Sequence, residues 1–387
     1  MIPIKYNIRS LTNRWGTTLQ TVLAIAIVVF ASILTFGMID GINKAFKSSG
    51  DAEDLIVMRQ GSTDEMSSSI DPQIARDLLT VEGLATDSEG EPLVARETVT
   101  VIIQPRRGRD ATANIIVRGT EKSSRMLRAG FKIVAGRDLE PGINELIASQ
   151  KMAERFEGVG LGEVTDINGV DFTVVGLFEA GGSSAESEVW ADLRDLNSAR
   201  KFGDAVSVVN LRVPNEEARL ALIDRIKSDE QFKLDAVTEE SYFNNLQSSS
   251  SAALQVIAYI IAFFLTIGAM FAASNTMYAA VASRGREIGT LRALGFSRRT
   301  VLTSFLAESL VICLLGGLLG CLATLPLNGI TGGTQASTFS EVTFSFSFGP
   351  KVLAQGMLLA LAMGLIGGLF PALRAVRLQV VNALRQR

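Results

Sequence analysis

Four stretches of the chain, 17–39, 252–282, 301–328 and 352–373, are almost continuously apolar. Each is about 20 residues or longer, the length a helix needs to cross the hydrocarbon of a bilayer. The first of them follows Lys5, Arg9 and Arg14. It is too long for the apolar part of a secretory signal and has no small-x-small cleavage site behind it, so it reads as a retained helix. Between the first and second stretches the pattern changes. Apolar residues there come in short alternating or β-branched runs, such as Thr98 to Gln104 and Asn114 to Arg118, separated by segments of helical period.

The details of this middle segment predict a mixed fold. A strand is expected near Leu55 to Met58, then a helix over Pro72 to Leu79 with Asp71 as N-cap and Pro72 at the first helical position. The basic run PRRGRD, with Arg106, Arg107 and Arg109, reads as a solvated hairpin tip, and Asn168-Gly169 as a two-residue hairpin turn. GVGLG at 158–162 lacks the Lys and following helix of a phosphate loop and reads as a turn into a strand. Strands recur near Val206 to Val213, followed by a helix with Asn215 as cap. The fold class expected is an α-helical membrane protein with four transmembrane helices and a large mixed α+β extracytoplasmic domain in two subdomains.

Charge orients the chain. The N-terminal tail carries three basic residues and no acid, segment 283–300 carries five Arg against Glu287, and the C-terminal tail has Arg374, Arg377, Arg385 and Arg387. The 329–351 loop has only Lys351 against Glu341. By the positive-inside tendency the tails and the basic loop are cytoplasmic. The organisation is then a cytoplasmic tail (1–16), a first span (17–40), an outer domain (41–250) with a second subdomain at about 119–203, and a second span (251–282). A cytoplasmic loop (283–300), a third span (301–328), a short external loop (329–351), a fourth span (352–373) and a cytoplasmic tail (374–387) follow. From Glu239 to Arg292 there is no proline and the sequence suits a helix, so a stalk starting near 239 is expected to lead into the second span.

The outer segment holds 24 Lys and Arg against 36 Asp and Glu, a balance of −12 behind the whole-chain −3. That acidity argues against binding nucleic acid or anionic headgroups. Cys313 and Cys321 lie eight residues apart on one helix, about 12 Å along its axis, and cannot bridge. Histidine is absent, which removes the commonest metal ligand and general base. No G-x-x-x-x-G-K-[ST] motif is present. The expectation is therefore no catalytic, cofactor or metal site in the chain, and membrane lipid rather than nucleic acid as its surroundings.

The basic loop has an amphipathic interior, Arg286 to Leu294, with Ile288, Leu291 and Leu294 three residues apart, Arg284, Arg286, Glu287 and Arg292 about them, and Gly295 placed to end the helix. A loop both helical and half apolar needs a contact. In the third and fourth spans Gly316, Gly320, Gly356, Gly364 and Gly368 recur at spacing four, a stripe that lets helices approach closely, either within one subunit or at a dimer seam. Glu308 is the carboxylate within a span. Lying near the cytoplasmic end, it reads as a structural salt bridge to Arg9, Arg14 or Arg292 rather than a reactive acid.

These residues carry a resemblance. REIGTLRALGFSRRTVLTSFLAESLVICLLGGLLG, preceded by NTMYAAVASR, resembles the core of the FtsX-domain permeases, the ABC transporter group with macrolide-exporter, lipoprotein-release and heterocyst glycolipid-export members. The ending GGLFPALRAVRLQVVNALRQR is similar too, without the proline usual near Val380 or Val381. Gly130 to Trp190 resembles the family's MacB-type periplasmic core. The resemblance implies a non-catalytic permease subunit of the bacterial inner membrane, both termini cytoplasmic, working as a homodimer with a separate ABC ATPase. ATP and Mg would be bound by that partner, and a periplasmic adaptor and outer-membrane duct would extend some assemblies. It makes Arg284 to Gly295 the coupling helix on the ATPase, in a mechanotransmitting exporter without an alternating-access pore. The alternative is a signalling subunit that drives an extracytoplasmic hydrolase without transport, and a membrane-anchored enzyme is a distant third.

Overall fold

The computed structural model describes residues 15–201, 203–229, 232–335 and 341–377. They fall into two compact units, one of Met1–Asp40, Leu254–Ile330 and Phe346–Arg387, the other of Gly41–Ala253 with Thr331–Ser345.

Among the described residues four helices are long and apolar enough to cross a membrane, with mean hydropathy from 2.0 to 2.7 over their spans. They are Trp15–Lys47, Glu239–Ser283, Arg298–Thr324 and Pro350–Arg377. In the first, Ile25, Val29 and Ile33 recur every fourth residue and are fully buried. Glycines on the third and fourth helices receive this ridge. A Cβ on Gly316 would stand 2.8 Å from Ile25, one on Gly320 2.8 Å from the Ala26 carbonyl, and one on Gly356 2.5 Å from Ile33. Gly364 and Gly368 lie equally close to Cys313 and Ser309 on the third helix. All five glycines of the stripe thus sit in contacts within this chain, where small residues let backbones approach in lipid.

Polar side chains complete that packing. Pro371 lies inside the fourth helix. Lacking an N–H, it cannot donate to the Gly367 carbonyl one turn earlier, and the Ser274 hydroxyl of the second helix donates to that oxygen instead, at 2.7 Å. Ser309 likewise donates to the Gly364 carbonyl at 2.8 Å.

The second unit is built on one ten-stranded mixed sheet, ordered β10-β1-β9-β2-β3-β8-β5-β7-β4 with β6 on β7. Its strands are β1 (Asp54–Arg59), β2 (Val94–Pro105), β3 (Thr112–Thr120), β4 (Phe131–Gly136) and β5 (Glu145–Ser149). Then come β6 (Val164–Ile167), β7 (Val170–Ala180), β8 (Glu188–Asp192), β9 (Val208–Arg212) and β10 (Leu234–Thr238). The long β-branched β2 joins its halves: Val94 to Glu97 pair with β9, and Thr98 to Pro105 pair with β3. One apolar core gathers Leu55, Val57, Ile70, Leu78 and Leu222 on the first half, and a second gathers Ile115, Leu146, Phe156 and Phe172 on the other. Trp190 stacks on Phe131, with ring centroids 5.2 Å apart, and its indole donates to Glu188 at 2.9 Å.

Local signals placed most of these elements. Asp71 caps the helix Pro72–Asp77, accepting from Gln73 N–H. That helix is two residues shorter than expected, because the chain tightens into a 3-10 turn over Leu78–Thr80 that buries Leu78. Asn168 and Gly169 both take positive φ between β6 and β7, as a type I′ turn requires. Asn215 caps Glu216–Ser228.

The short loop expected between the third and fourth spans is built as a hairpin, β11 (Thr331–Gln335) with β12 (Glu341–Ser345), and this hairpin belongs to the sheet-bearing unit. The PRRGRD tip is not simply solvated: Arg106 ion-pairs with the buried Glu341 of that hairpin, and Arg107 with Glu163 at 2.9 Å. Arg155 ion-pairs with the same Glu341. A carboxylate distant in sequence gave these guanidiniums partners that a local pattern cannot show.

Candidate functional site

The second membrane helix ends at Ser283, and a short helix, Gly285–Ala293, follows at once. Its buried positions are Gly285, Ile288 and Gly289. Ile288 is 3% exposed and packs in the core of the helix bundle with Val281, Val301 and Phe305. Arg286, Glu287, Thr290, Ala293 and Leu294 are exposed, and Leu291 and Arg292 are half-buried.

The expected apolar stripe Ile288, Leu291, Leu294 therefore divides. Steps of three residues fall short of a turn by about 60° each, so Leu294 lies about 120° round the helix from Ile288. Ile288 holds the helix to the bundle, while Leu294, 73% exposed, faces outward among the arginines. Leu294 is also the C-cap, and Gly295 takes a φ of 93°. The Phe296 N–H reaches the Leu291 carbonyl at 3.1 Å and the Gly295 N–H the Arg292 carbonyl at 3.2 Å, a Schellman ending that requires the left-handed residue glycine supplies. Ser297 then caps the third helix, accepting from Thr300 N–H, and the exposed Arg298 and Arg299 start it.

Arg284 sits at the joint between the two helices. Its guanidinium donates to Glu308 at 3.1 Å, with only 11% and 5% of the two side chains exposed. Glu287 lies 4.0 Å from the same guanidinium on its outer side. Among the described residues Glu308 pairs with Arg284, not with the Arg292 also expected, and the other two expected partners, Arg9 and Arg14, lie outside the described residues. The helix break at Ser283 turns Arg284 toward the third helix. Arg292 keeps its Nη1 buried without a hydrogen-bond partner.

The sheet-bearing unit holds a polar centre that the sequence reading missed. Arg118 donates to Glu65 and Glu188 at 2.7 Å and to Glu97 at 2.8 Å. Burial opposes the Arg118 charge, but Glu188 and Glu65 outweigh it and hold the guanidinium well above its ordinary range. Arg128 also binds Glu97, at 3.0 Å. Beside this centre a cavity of about 50 Å³ is walled by Phe46, Met66, Val99, Tyr242 and Phe243 as well as Arg118. The available signal was Arg118 itself, an arginine directly after the β-branched run Ile115 to Val117 in a strand that buries its side chains.

Comparison with known proteins joins the two units. Residues 18–229 match the MacB-like periplasmic core domain, and residues 259–380 match the FtsX-like permease C-terminal domain. The chain is 28% identical over 289 residues to the ABC transporter permease YknZ of Bacillus subtilis, covering 71% of this chain and 70% of that one. It is 27% identical over 274 residues to the macrolide export ATP-binding/permease protein MacB 1/2 of Paracoccus denitrificans, covering 67% of this chain but only 40% of that one. The solved periplasmic region of MacB from Actinobacillus actinomycetemcomitans aligns with a TM-score of 0.38 at 13% identity, over 54% of this chain and 99% of that one. With both domain families matched in their order along the chain, this protein belongs to the FtsX-type ABC transporter permeases that carry a MacB-like periplasmic core domain.

Proposed function

We propose that this chain is the non-catalytic permease subunit of a mechanotransmitting ABC exporter, in which a separate ATPase binds ATP and Mg and the helix Gly285–Ala293 passes its movement on. The observation that carries the reading is the two-sided construction of that helix. Ile288 and the Arg284–Glu308 pair fix one side to the bundle, and Arg286, Glu287 and Leu294 leave the other side exposed. A face with an exposed apolar residue ringed by charge is the composition of a protein contact. Relatives named as ATP-binding/permease proteins support an ATPase as the occupant.

The protein resides in a bacterial inner membrane with both termini in the cytoplasm, and two copies assemble with the ATPase. The sheet-bearing unit acts on substrate at the outer side, where an adaptor and an outer-membrane duct would receive it. The macrolide export named in a relative favours export over signalling.

The test is co-expression with the cognate ATPase. Reversing Arg286→Glu together with Leu294→Asp is expected to lower ATPase co-purification at least tenfold, on the order of 1.4 kcal/mol or more of lost contact, while the permease itself still purifies folded. Unchanged co-purification and unchanged ATPase stimulation would overturn the assignment of this surface.

A further inference from the structure

The two segments that connect the sheet-bearing unit to its membrane helices meet at one carboxylate. The first helix ends at Lys47 and the second begins at Glu239. Glu239 is 2% exposed, and its Oε2 accepts a hydrogen bond from the Asp51 N–H at 3.1 Å. The backbones run against each other here, since a Cβ on Gly50 would stand 2.7 Å from the Glu240 Cα. Glu239 therefore closes a clasp between residues 50–51 and residues 239–240.

The charges that face it leave the carboxylate poorly compensated. Arg128 approaches only to 3.7 Å and is engaged at 3.0 Å with Glu97. Asp54 also faces Glu239, but it is held by Arg212 at 2.6 Å. Arg118, deeper in the centre, is taken by Glu65, Glu97 and Glu188. Asp51 offers its backbone N–H, and Glu240 is exposed beside it. Four carboxylates, Glu65, Glu97, Glu188 and Glu239, thus share the guanidiniums of Arg118 and Arg128, and Glu97 already has one buried oxygen with no partner.

We propose that Glu239 is a proton-operated clasp: protonated, it holds the start of the second helix against the segment leaving the first, and ionised, it lets the two segments part. Burial is the chief cause that raises its carboxyl, with Arg128 opposing and Asp54 adding to the rise, and the result is a shift up to about 7. The sign follows from the raised value. The closed form binds the proton more tightly than an opened, hydrated form does. Its advantage is complete below the ordinary carboxylate range and is lost as pH rises through about 7. A proton on the outer face would thereby set whether the two connections move together or separately.

Hydrogen exchange on the full chain in lipid nanodiscs tests this through peptides covering residues 48–54 and 236–244. After correction for the intrinsic pH dependence of exchange, protection is expected to fall about tenfold from about pH 6 to about pH 8. Glu239→Gln, which keeps an acceptor for the Asp51 N–H without the charge, should stay protected across the interval. Should that variant fail to fold, the infrared band of the protonated carboxyl in the wild type gives the same answer by vanishing with a midpoint near 7. Protection that does not change with pH, a Gln variant that titrates like the wild type, or a carboxyl midpoint in the ordinary range would overturn the proposal. None of these readouts involves the ATPase, so they stand apart from the test of the proposed function.

Discussion

Replacing Arg284 by Met is expected to destabilise the helix bundle by about 3–5 kcal/mol, the cost of removing one side of a buried ion pair. Glu308 is 5% exposed, so water cannot take over the role of the guanidinium. The loss should appear as a large fall in the thermal unfolding temperature of the purified protein in detergent. It should also abolish stimulation of the ATPase, because the short helix hangs from this joint. Pairing Arg284→Met with Glu308→Gln removes both charges of the pair and is expected to restore part of the stability. It would not restore stimulation, since the joint would still lack its ion pair. That separation distinguishes a load path from a purely structural contact.

The second large effect is expected at Arg118. Its replacement by Met leaves Glu65, Glu97 and Glu188 around an apolar side chain, and all three are nearly withdrawn from solvent. The expected cost is about 3–5 kcal/mol, a large fraction of the stability of an ordinary domain. Limited proteolysis of the full chain should then cleave within the sheet-bearing unit while the membrane helices stay intact. A second substitution, Glu188→Gln, is expected to recover part of the loss by reducing the unpaired charge. Lys at position 118 should do worse than its charge suggests, because one ammonium cannot fork to three carboxylates as the guanidinium does.

Much of the fold was legible because it is written locally. Continuous apolar length located the four membrane helices, and cap and turn residues such as Asp71, Asn168-Gly169 and Asn215 fixed their elements without help from distant contacts. The glycine stripe was visible, but its role was not. Spacing shows that two helices can approach, and only the positions of Ile25, Val29 and Ile33 on the first helix show what fills the groove. The ionic partnerships were equally hidden. Glu341 joins Arg106 and Arg155 across about half the chain, and Arg118 gathers carboxylates from three separate segments. Such pairs are set by sheet order, with β3 beside both β2 and β8, and sheet order is a long-range property. At the short helix the error was angular. A spacing of three was read as one face, although over two steps it carries Leu294 well away from Ile288.

The outward side of that helix is the proposed seat of the ATPase. A photo-crosslinking amino acid placed singly at Leu294 and at Ile288, in cells expressing the cognate ATPase, measures it most directly. Leu294, 73% exposed, is expected to capture the ATPase in high yield, whereas Ile288, 3% exposed, is expected to give only crosslinks within the permease. Capture from Ile288 at a yield equal to that from Leu294, or no capture from Leu294 in an assembly that hydrolyses ATP, would contradict it.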